Sequence, residues 1–263
     1  MRYLVLLFAL LLSAPAIAAP APGPLRIIGT NGAACIAGAV ELPPHGPGYQ
    51  QIRADKSSFW GAPSTIAAIE QLGAEVHAAG LPDLYIGDIA LPRGGPFAPH
   101  FSHQRGLDVD IYYDLLPKPR LPLAARDNLD PPWLTNRAMT GVNPKLWSRD
   151  EIRLIGWAAH LPHVNRIFVN PAIKRAMCEA VHPHPAWFHL VQAWWGHTAH
   201  MHIRFSCPAD QPACINQPPP PPGLDCGRFL AWWFPNGHPR PLPRGGVPFH
   251  PVLPAACHAI LKP

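Results

Sequence analysis

The stretch 194–205, Trp194-Trp195-Gly196-His197-Thr198-Ala199-His200-Met201-His202-Ile203-Arg204-Phe205, decides how the chain is read. From His200 it alternates. His200, His202 and Arg204 fall on one side, and Met201, Ile203 and Phe205 on the other. A period of two is the pattern of a half-buried strand. Two imidazoles two residues apart on one strand face can converge on one metal ion or one substrate. About one His-x-His pair is expected by chance among 15 histidines, so the pair needs partners from elsewhere in the chain.

A second alternating stretch supplies them. In His100-Phe101-Ser102-His103-Gln104-Arg105-Gly106-Leu107-Asp108-Val109-Asp110-Ile111-Tyr112-Tyr113, Leu107, Val109 and Ile111 share one face, and Asp108, Asp110 and Tyr112 share the other. This predicts a strand with carboxylates on its polar face, preceded by a loop bearing His100 and His103. Two such strands side by side would line a groove with two imidazoles and a carboxylate. Two His plus one carboxylate with an open fourth position is the ligand set of a catalytic zinc site. A water there is acidified and can attack an amide carbonyl.

Around these strands the pattern is mixed. Pro63 to Ala79 predicts a helix, with Ser64 as N-cap, Ile66, Ile69, Leu72 and Val76 at helical spacing, and Gly80-Leu81-Pro82 as the stop. Leu84 to Leu91 reads as a strand. Residues 117–147 are broken by prolines and charges and read as a surface excursion. Ser148 to His160 predicts a second helix with a Ser148/Glu151 capping box. Arg166 to Asn170 reads as a strand and Pro171 to Val181 as a third helix. After Phe205 the chain is proline-rich, with five consecutive prolines at 218–222 of polyproline II character.

Composition narrows the class. Residues 1–18 read as a secretory signal: a basic start at Arg2, an apolar run from Tyr3 to Leu12, and a small-x-small site at Ala16-Ile17-Ala18. No later run is long enough to suggest a transmembrane anchor. The six cysteines (Cys35, Cys178, Cys207, Cys214, Cys226 and Cys257) all follow that site, and an even number in an exported chain implies three disulfides, with 15 possible pairings. No Cys-x-x-Cys occurs, which disfavours a thiolate zinc site. The 37 prolines lie far above the usual share of about 5% and demand a loop-rich fold. The net charge of +5 comes without a long Lys/Arg run, which argues against nucleic acid and suits an anionic polymer such as a carboxylate-rich cell wall. His-Glu-x-x-His, Ser-x-x-Lys and Gly-x-Ser-x-Gly are all absent, excluding helical zincin and those serine acyl-enzyme chemistries.

Three segments carry a resemblance. Gly95 to Ile111, Arg166 to Lys174 and His197 to Asp210 resemble the penicillin-insensitive murein endopeptidases, periplasmic zinc peptidases of the lysostaphin/D-Ala-D-Ala-peptidase/hedgehog fold group. The resemblance covers nearly the whole mature chain. It implies an α+β fold, a small antiparallel sheet with flanking helices, long Pro-rich loops and a disulfide-pinned C-terminal tail. Residues 19–263 would form a single zinc peptidase domain with its tail from about 207. By the same resemblance His103, Asp110 and His202 match zinc ligands, His100 matches a further histidine counted around the metal, His200 matches the general base, and His197 matches a histidine that could stabilise the oxyanion. The implied pairings are Cys35–Cys257, Cys178–Cys226 and Cys207–Cys214.

The implied reaction is hydrolysis of D-alanyl–diaminopimelate cross-links in peptidoglycan, in the periplasm, with one Zn2+ per chain. The alternatives are a zinc D-Ala carboxypeptidase and a non-catalytic zinc- or wall-binding protein. Some family members hold a second zinc at a dimer interface through an Asp and a His before the residue matching Trp147. Residues 131–149 contain neither, so that site is expected to be missing, and a homodimer stays open. Arg105 stands where a small polar residue is usual and reads as facing solvent, with contact to substrate carboxylates as the alternative. Asp108 either orients an imidazole or is solvated. Trp194 and Trp195 either wall a substrate groove or pack in the core. His182 and His184, bracketed by prolines, could bind copper or nickel adventitiously.

Overall fold

The computed structural model describes residues 19–223, 226–242 and 252–262, so the expected signal at 1–18 lies outside the described residues. Short strands open the chain: β1 (Arg26–Thr30), β2 (Ala33–Ala37), β3 (Val40–Glu41), β4 (His45–Gly46), β5 (Tyr49–Gln51) and β6 (Trp60–Gly61). Then follow α1 (Pro63–Ala78), β7 (Leu84–Ile86), β8 (Asp108–Tyr112), α2 (Arg149–His160), β9 (Val164–Val169) and α3 (Pro171–Ala180). The last elements are β10 (Val191–Ala193), β11 (His200–Phe205), α4 (Arg228–Ala231) and α5 (Cys257–Leu261).

The main sheet runs β10-β9-β11-β8-β7-β5-β4. Its centre is antiparallel, β9 against β11, β11 against β8 and β8 against β7. The β9–β10 and β5–β7 pairs that flank this centre are parallel. Two small antiparallel pairs, β1–β2 and β3–β6, stand beside it. The expected α+β class is what the structure has.

The alternation of the two key stretches sets the layers. Val109 and Ile111 of β8, Met201 and Ile203 of β11, and Ile167 and Val169 of β9 are all 0% exposed and pack into one core with the inner faces of α1, α2 and α3. Burying each such side chain contributes roughly 1.5–3 kcal/mol, so this face alone fixes the register. The opposite face of the same strands carries the polar residues.

The helices follow local rules with one revision. Ser148 caps α2: its Oγ accepts from Asp150 N at 3.0 Å, and Glu151 Oε2 accepts from Ser148 N at 2.6 Å, the reciprocal box expected. Asn170 caps α3 without a reciprocal partner, its side chain accepting from Ala172 N at 3.0 Å. For α1, Ser64 is not the cap. The cap position is Ala62, with no side-chain bond, and Pro63 occupies the first helical position, where its missing N–H costs nothing. Gly80 ends α1 at φ 70°, with Gly80 N bonded to His77 O and Leu81 N to Val76 O.

Two other expectations are revised. The strand expected over 84–91 stops at Ile86, because from Gly87 the chain turns to serve both Asp110 and Ser58: Gly87 N donates to Asp110 O, and Ile89 N and Ala90 N to Ser58 O. Arg105 does not face solvent. It is 0% exposed, its Nη1 donates to Ile215 O at 2.8 Å, and Nη1 lies 3.5 Å from both Cys207 Sγ and Cys214 Sγ. Local sequence could not reveal this, since the cover comes from a segment 110 residues downstream.

Disulfides join Cys35 to Cys257, Cys178 to Cys226 and Cys207 to Cys214. The residues after 207 do more than lie along the surface. Leu230 and Trp233 are 7% and 4% exposed and belong to the main core. Cys257 and Ile260 build a second small core with Ile28, Cys35 and Ala37.

Candidate metal and catalytic site

The register of β8 against β11 assembles the site. His202 lies opposite Asp110, Arg204 opposite Asp108, and His200 opposite Tyr112. Directly opposed residues in an antiparallel pair share a face, so three cross-strand pairs line up on the polar side of the sheet. From β9, Phe168 lies opposite His202 and Arg166 opposite Arg204, extending the same face. His100 and His103 arrive from the loop that precedes β8. That loop can pass close to β6 because Gly106, at φ 65°, has no side chain. A Cβ there would sit 2.8 Å from Gly61 Cα.

Hydrogen bonds fix which atom each ring presents. His103 Nδ1 donates to Ile89 O at 3.0 Å, leaving Nε2 to point inward. His202 Nε2 donates to Asp108 Oδ1 at 2.8 Å, leaving Nδ1 to point inward. These two nitrogens are 3.0 Å apart, and Asp110 Oδ1 lies 3.3 Å from His103 Nε2 and 3.1 Å from His202 Nδ1. His103, Asp110 and His202 are 1%, 4% and 5% exposed. Asp110 Oδ1 is buried and, among the described residues, accepts no hydrogen bond.

Three lone-pair atoms held together out of water require a cation. Ligands about 2.0–2.1 Å from a tetrahedral zinc are separated by about 3.3 Å, close to the spacing found here. The donor set therefore fits such a metal. Without a metal, a proton is drawn in instead. Burial alone would lower the pKa of His103, but the surrounding carboxylates, Asp110 first and then Asp108 and Asp88, together outweigh it and raise it to about 9. Burial disfavours ionised Asp110, yet the cationic partners, His103 first, hold it well below the usual carboxylate range.

Asp108 orients an imidazole and does not meet solvent. It is 0% exposed and accepts from both His202 Nε2 at 2.8 Å and Arg204 Nε at 2.7 Å. Arg204 Nη1 in turn donates to Gln217 Oε1 at 2.5 Å. Asp108 thus fixes the orientation and tautomer of His202, the arrangement that raises a histidine ligand's basicity in metal sites.

His100 stands nearby in a looser arrangement. It offers a nitrogen in a group with His103 and Asp110 whose atoms lie within 4.8 Å of one another. Its Nε2 meets Asp88 Oδ2 at 2.9 Å. Sequence reading missed Asp88. It is buried, it accepts from Ser58 Oγ at 2.5 Å, and its backbone oxygen receives Asp110 N. The only signal for it was the isolated Asp between Gly87 and Ile89 in an otherwise apolar run.

His200 and His197 occupy the open side. His200 Nε2 is 3.7 Å from Asp110 Oδ2, and its side chain is 28% exposed, against 1% and 6% for His103 and His202. Of these three rings, His200 is the one that solvent reaches. Burial and neighbouring histidines depress its pKa against the pull of Asp110. His197 has left-handed backbone at φ 51° and its Nδ1 donates to Trp195 O at 2.7 Å. Burial pushes its pKa down to about 3, so it is neutral and presents a lone pair at Nε2. The loop that carries it is held by Asn170 Nδ2 to Gly196 O at 2.7 Å and Leu134 N to Thr198 O at 2.8 Å.

A second cluster comprises Cys178, His184 and Cys226. Its two cysteines are bonded to each other, so they offer no thiolate. His184 stacks on Phe188 and contacts Cys178 O at 3.1 Å.

Comparison with known proteins agrees with this geometry. A family model described as penicillin-insensitive murein endopeptidase matches residues 27–262. The protein of that name from Haemophilus influenzae is 44% identical over 208 residues, 78% of this chain and 71% of its own. Its namesake from Klebsiella pneumoniae subsp. pneumoniae is 40% identical, covering 98% of this chain and 96% of its own, and that from Salmonella arizonae is 41% identical over 92% and 88%. A match that takes in both central strands, the tail and nearly every residue between them leaves one assignment: the chain belongs to the penicillin-insensitive murein endopeptidase family.

Proposed function

We propose that this peptidase cuts murein as a zinc-dependent DD-endopeptidase, hydrolysing the D-alanyl–diaminopimelate bond that cross-links neighbouring strands in the periplasm. The observation that carries the reading is the meeting of His103 Nε2, His202 Nδ1 and Asp110 Oδ1 within 3.3 Å, with the carboxylate oxygen otherwise unpaired. These three residues would hold the ion, with His100 adjoining them.

Bound zinc supplies Lewis acidity, polarising the scissile carbonyl and lowering the pKa of a coordinated water. The chain's own residues do the rest. His200 Nε2 takes the proton of the attacking water and later delivers it to the leaving amine, a role that needs the neutral ring its depressed pKa provides. His197, with its Nδ1 proton given to Trp195 O, serves as an acceptor that orients the water. It would donate to an oxyanion only if doubly protonated, which burial opposes. Asp108 and Asp88 hold rings in place without touching the reacting atoms. No residue here acts as a nucleophile, so penicillin should leave the reaction untouched.

The test is digestion of purified cross-linked murein with and without a chelator, read as muropeptides by mass. Loss of dimers with gain of intact tetrapeptide monomers, abolished by chelator and restored by zinc, supports the endopeptidase. Dimers untouched while pentapeptides lose a terminal D-Ala would replace it with a carboxypeptidase. Intact muropeptides with zinc bound would leave only a binding protein.

A further inference from the structure

Beside the metal site lies an aromatic groove that the chemistry above does not use. It is formed by Trp194, Trp195, Phe229, Trp232 and Trp233, with Arg228 at its rim. Trp233 is the buried anchor, at 4% exposed. Trp195 packs edge-on against it at 4.7 Å, and Trp232 at 5.0 Å with planes 89° apart. The indole N–H of Trp195 is taken up by the chain that follows the groove, donating to Arg240 O at 3.2 Å and Pro241 O at 3.1 Å. Trp194, Trp232 and Phe229 are nonetheless 47%, 49% and 39% exposed. Exposed aromatics gathered in a concavity mark a binding site more often than chance.

The lining indicates the occupant. Among the described residues its lining has no Leu, Ile, Val or Met, the side chains that line a groove for an apolar helix. It offers flat ring faces, which carry partial negative charge and attract the C–H face of a sugar ring. Arg228 at the rim, together with the net charge of +5, suits a polymer whose attached peptides bear carboxylates. The groove is also continuous with the catalytic face. Trp194 lies 5.7 Å from Phe168, and Phe168 lies 5.5 Å from the ring of His202.

We propose that this groove binds the glycan strand of murein, with sugar rings against Trp232, Phe229 and Trp194, so that the attached peptide cross-link is presented to the metal site. The proposal rests on the murein reading above. It makes the enzyme one that recognises its polymer by the sugar chain as well as by the bond it cuts.

The test separates sugar from peptide. Binding of soluble, peptide-free glycan strands is followed by tryptophan fluorescence. Hydrolysis is compared on intact sacculi and on a sugar-free cross-linked peptide. Trp232→Ala and Phe229→Ala together should weaken glycan binding about tenfold, and lower the sacculus-to-peptide rate ratio by a similar factor. Trp232→Phe should restore most of both. Absence of glycan binding by the wild-type protein, or an equal loss on both substrates in the variants, would overturn the groove while leaving the endopeptidase standing. Glycan binding by a wild-type protein that hydrolyses neither substrate would support the groove and sink the murein endopeptidase reading instead.

Discussion

Asp108 touches no reacting atom, yet its replacement should reach the metal. Its Oδ1 accepts from His202 Nε2 at 2.8 Å and Arg204 Nε at 2.7 Å in a setting 0% exposed. Asp108→Asn keeps an oxygen that can accept both bonds but removes the charge that makes His202 Nδ1 a stronger donor to a metal. Outer-sphere partners of this kind are worth about 10–100-fold in metal affinity, or about 1.4–2.7 kcal/mol. Asp108→Ala goes further, leaving the Arg204 guanidinium buried without its carboxylate, which costs roughly 3–5 kcal/mol of fold stability. Zinc competition against a chromogenic chelator reads the first effect, and urea unfolding of the metal-free protein reads the second. An asparagine variant that binds zinc within twofold of wild type would refute the claim that Asp108 tunes His202. An alanine variant as stable as wild type would refute the burial argument for Arg204.

Four further outcomes follow from the same structure. His200→Ala should lower kcat by about 10²–10⁴ while bound metal, measured by metal analysis, stays at the wild-type level. In the wild type the acid limb of kcat/KM should fall below pH 6.5, because a depressed pKa keeps His200 neutral as pH drops, and a neighbouring cation acts in the same direction. Arg105→Ala should cost about 2–4 kcal/mol in urea melts through the cavity it leaves, whereas Arg105→Met should stay within about 1 kcal/mol of wild type, since Arg105 Nε and Nη2 are buried without partners among the described residues. Equal losses in the two variants would mean that the charge itself is required. Removing the Cys35–Cys257 bridge, which spans 222 residues, should destabilise by about 2–5 kcal/mol, read as a drop in Tm under non-reducing conditions.

The central strands were legible because their signal is local. Period-two alternation at 107–113 and 200–205 depends only on neighbouring residues, and it separated the core side chains from the site side chains, although both faces of these strands are buried rather than one. The capping box at Ser148 was legible for the same reason. What escaped depends on residues far apart in sequence. Nothing near Arg105 announces a cover made by Ile215 and the Cys207–Cys214 bridge. Asp88 gains its place from His100 and Ser58, which lie 12 and 30 residues away. Asp108 looked like Asp110 in the alternating pattern, and only the cross-strand register, with Arg204 opposite one and His202 opposite the other, separates their tasks. The extra histidines differ in their backbone contacts. His197 and His200 are told apart by a backbone carbonyl, Trp195 O, which leaves no trace in residue type.

The order of the cysteines has a consequence for how the protein must be made. Cys35 is the first to emerge from any machine that releases the chain N-terminus first, and its partner, Cys257, is the last. The other two bridges are closed entirely within that span. For most of synthesis or transport, Cys35 therefore stands beside thiols that are not its own, with Cys178 the next to appear. Sequential oxidation would trap a wrong isomer, so efficient maturation calls for a catalyst that reshuffles disulfides rather than one that only forms them. A host lacking such an isomerase should yield protein that is oxidised but mispaired.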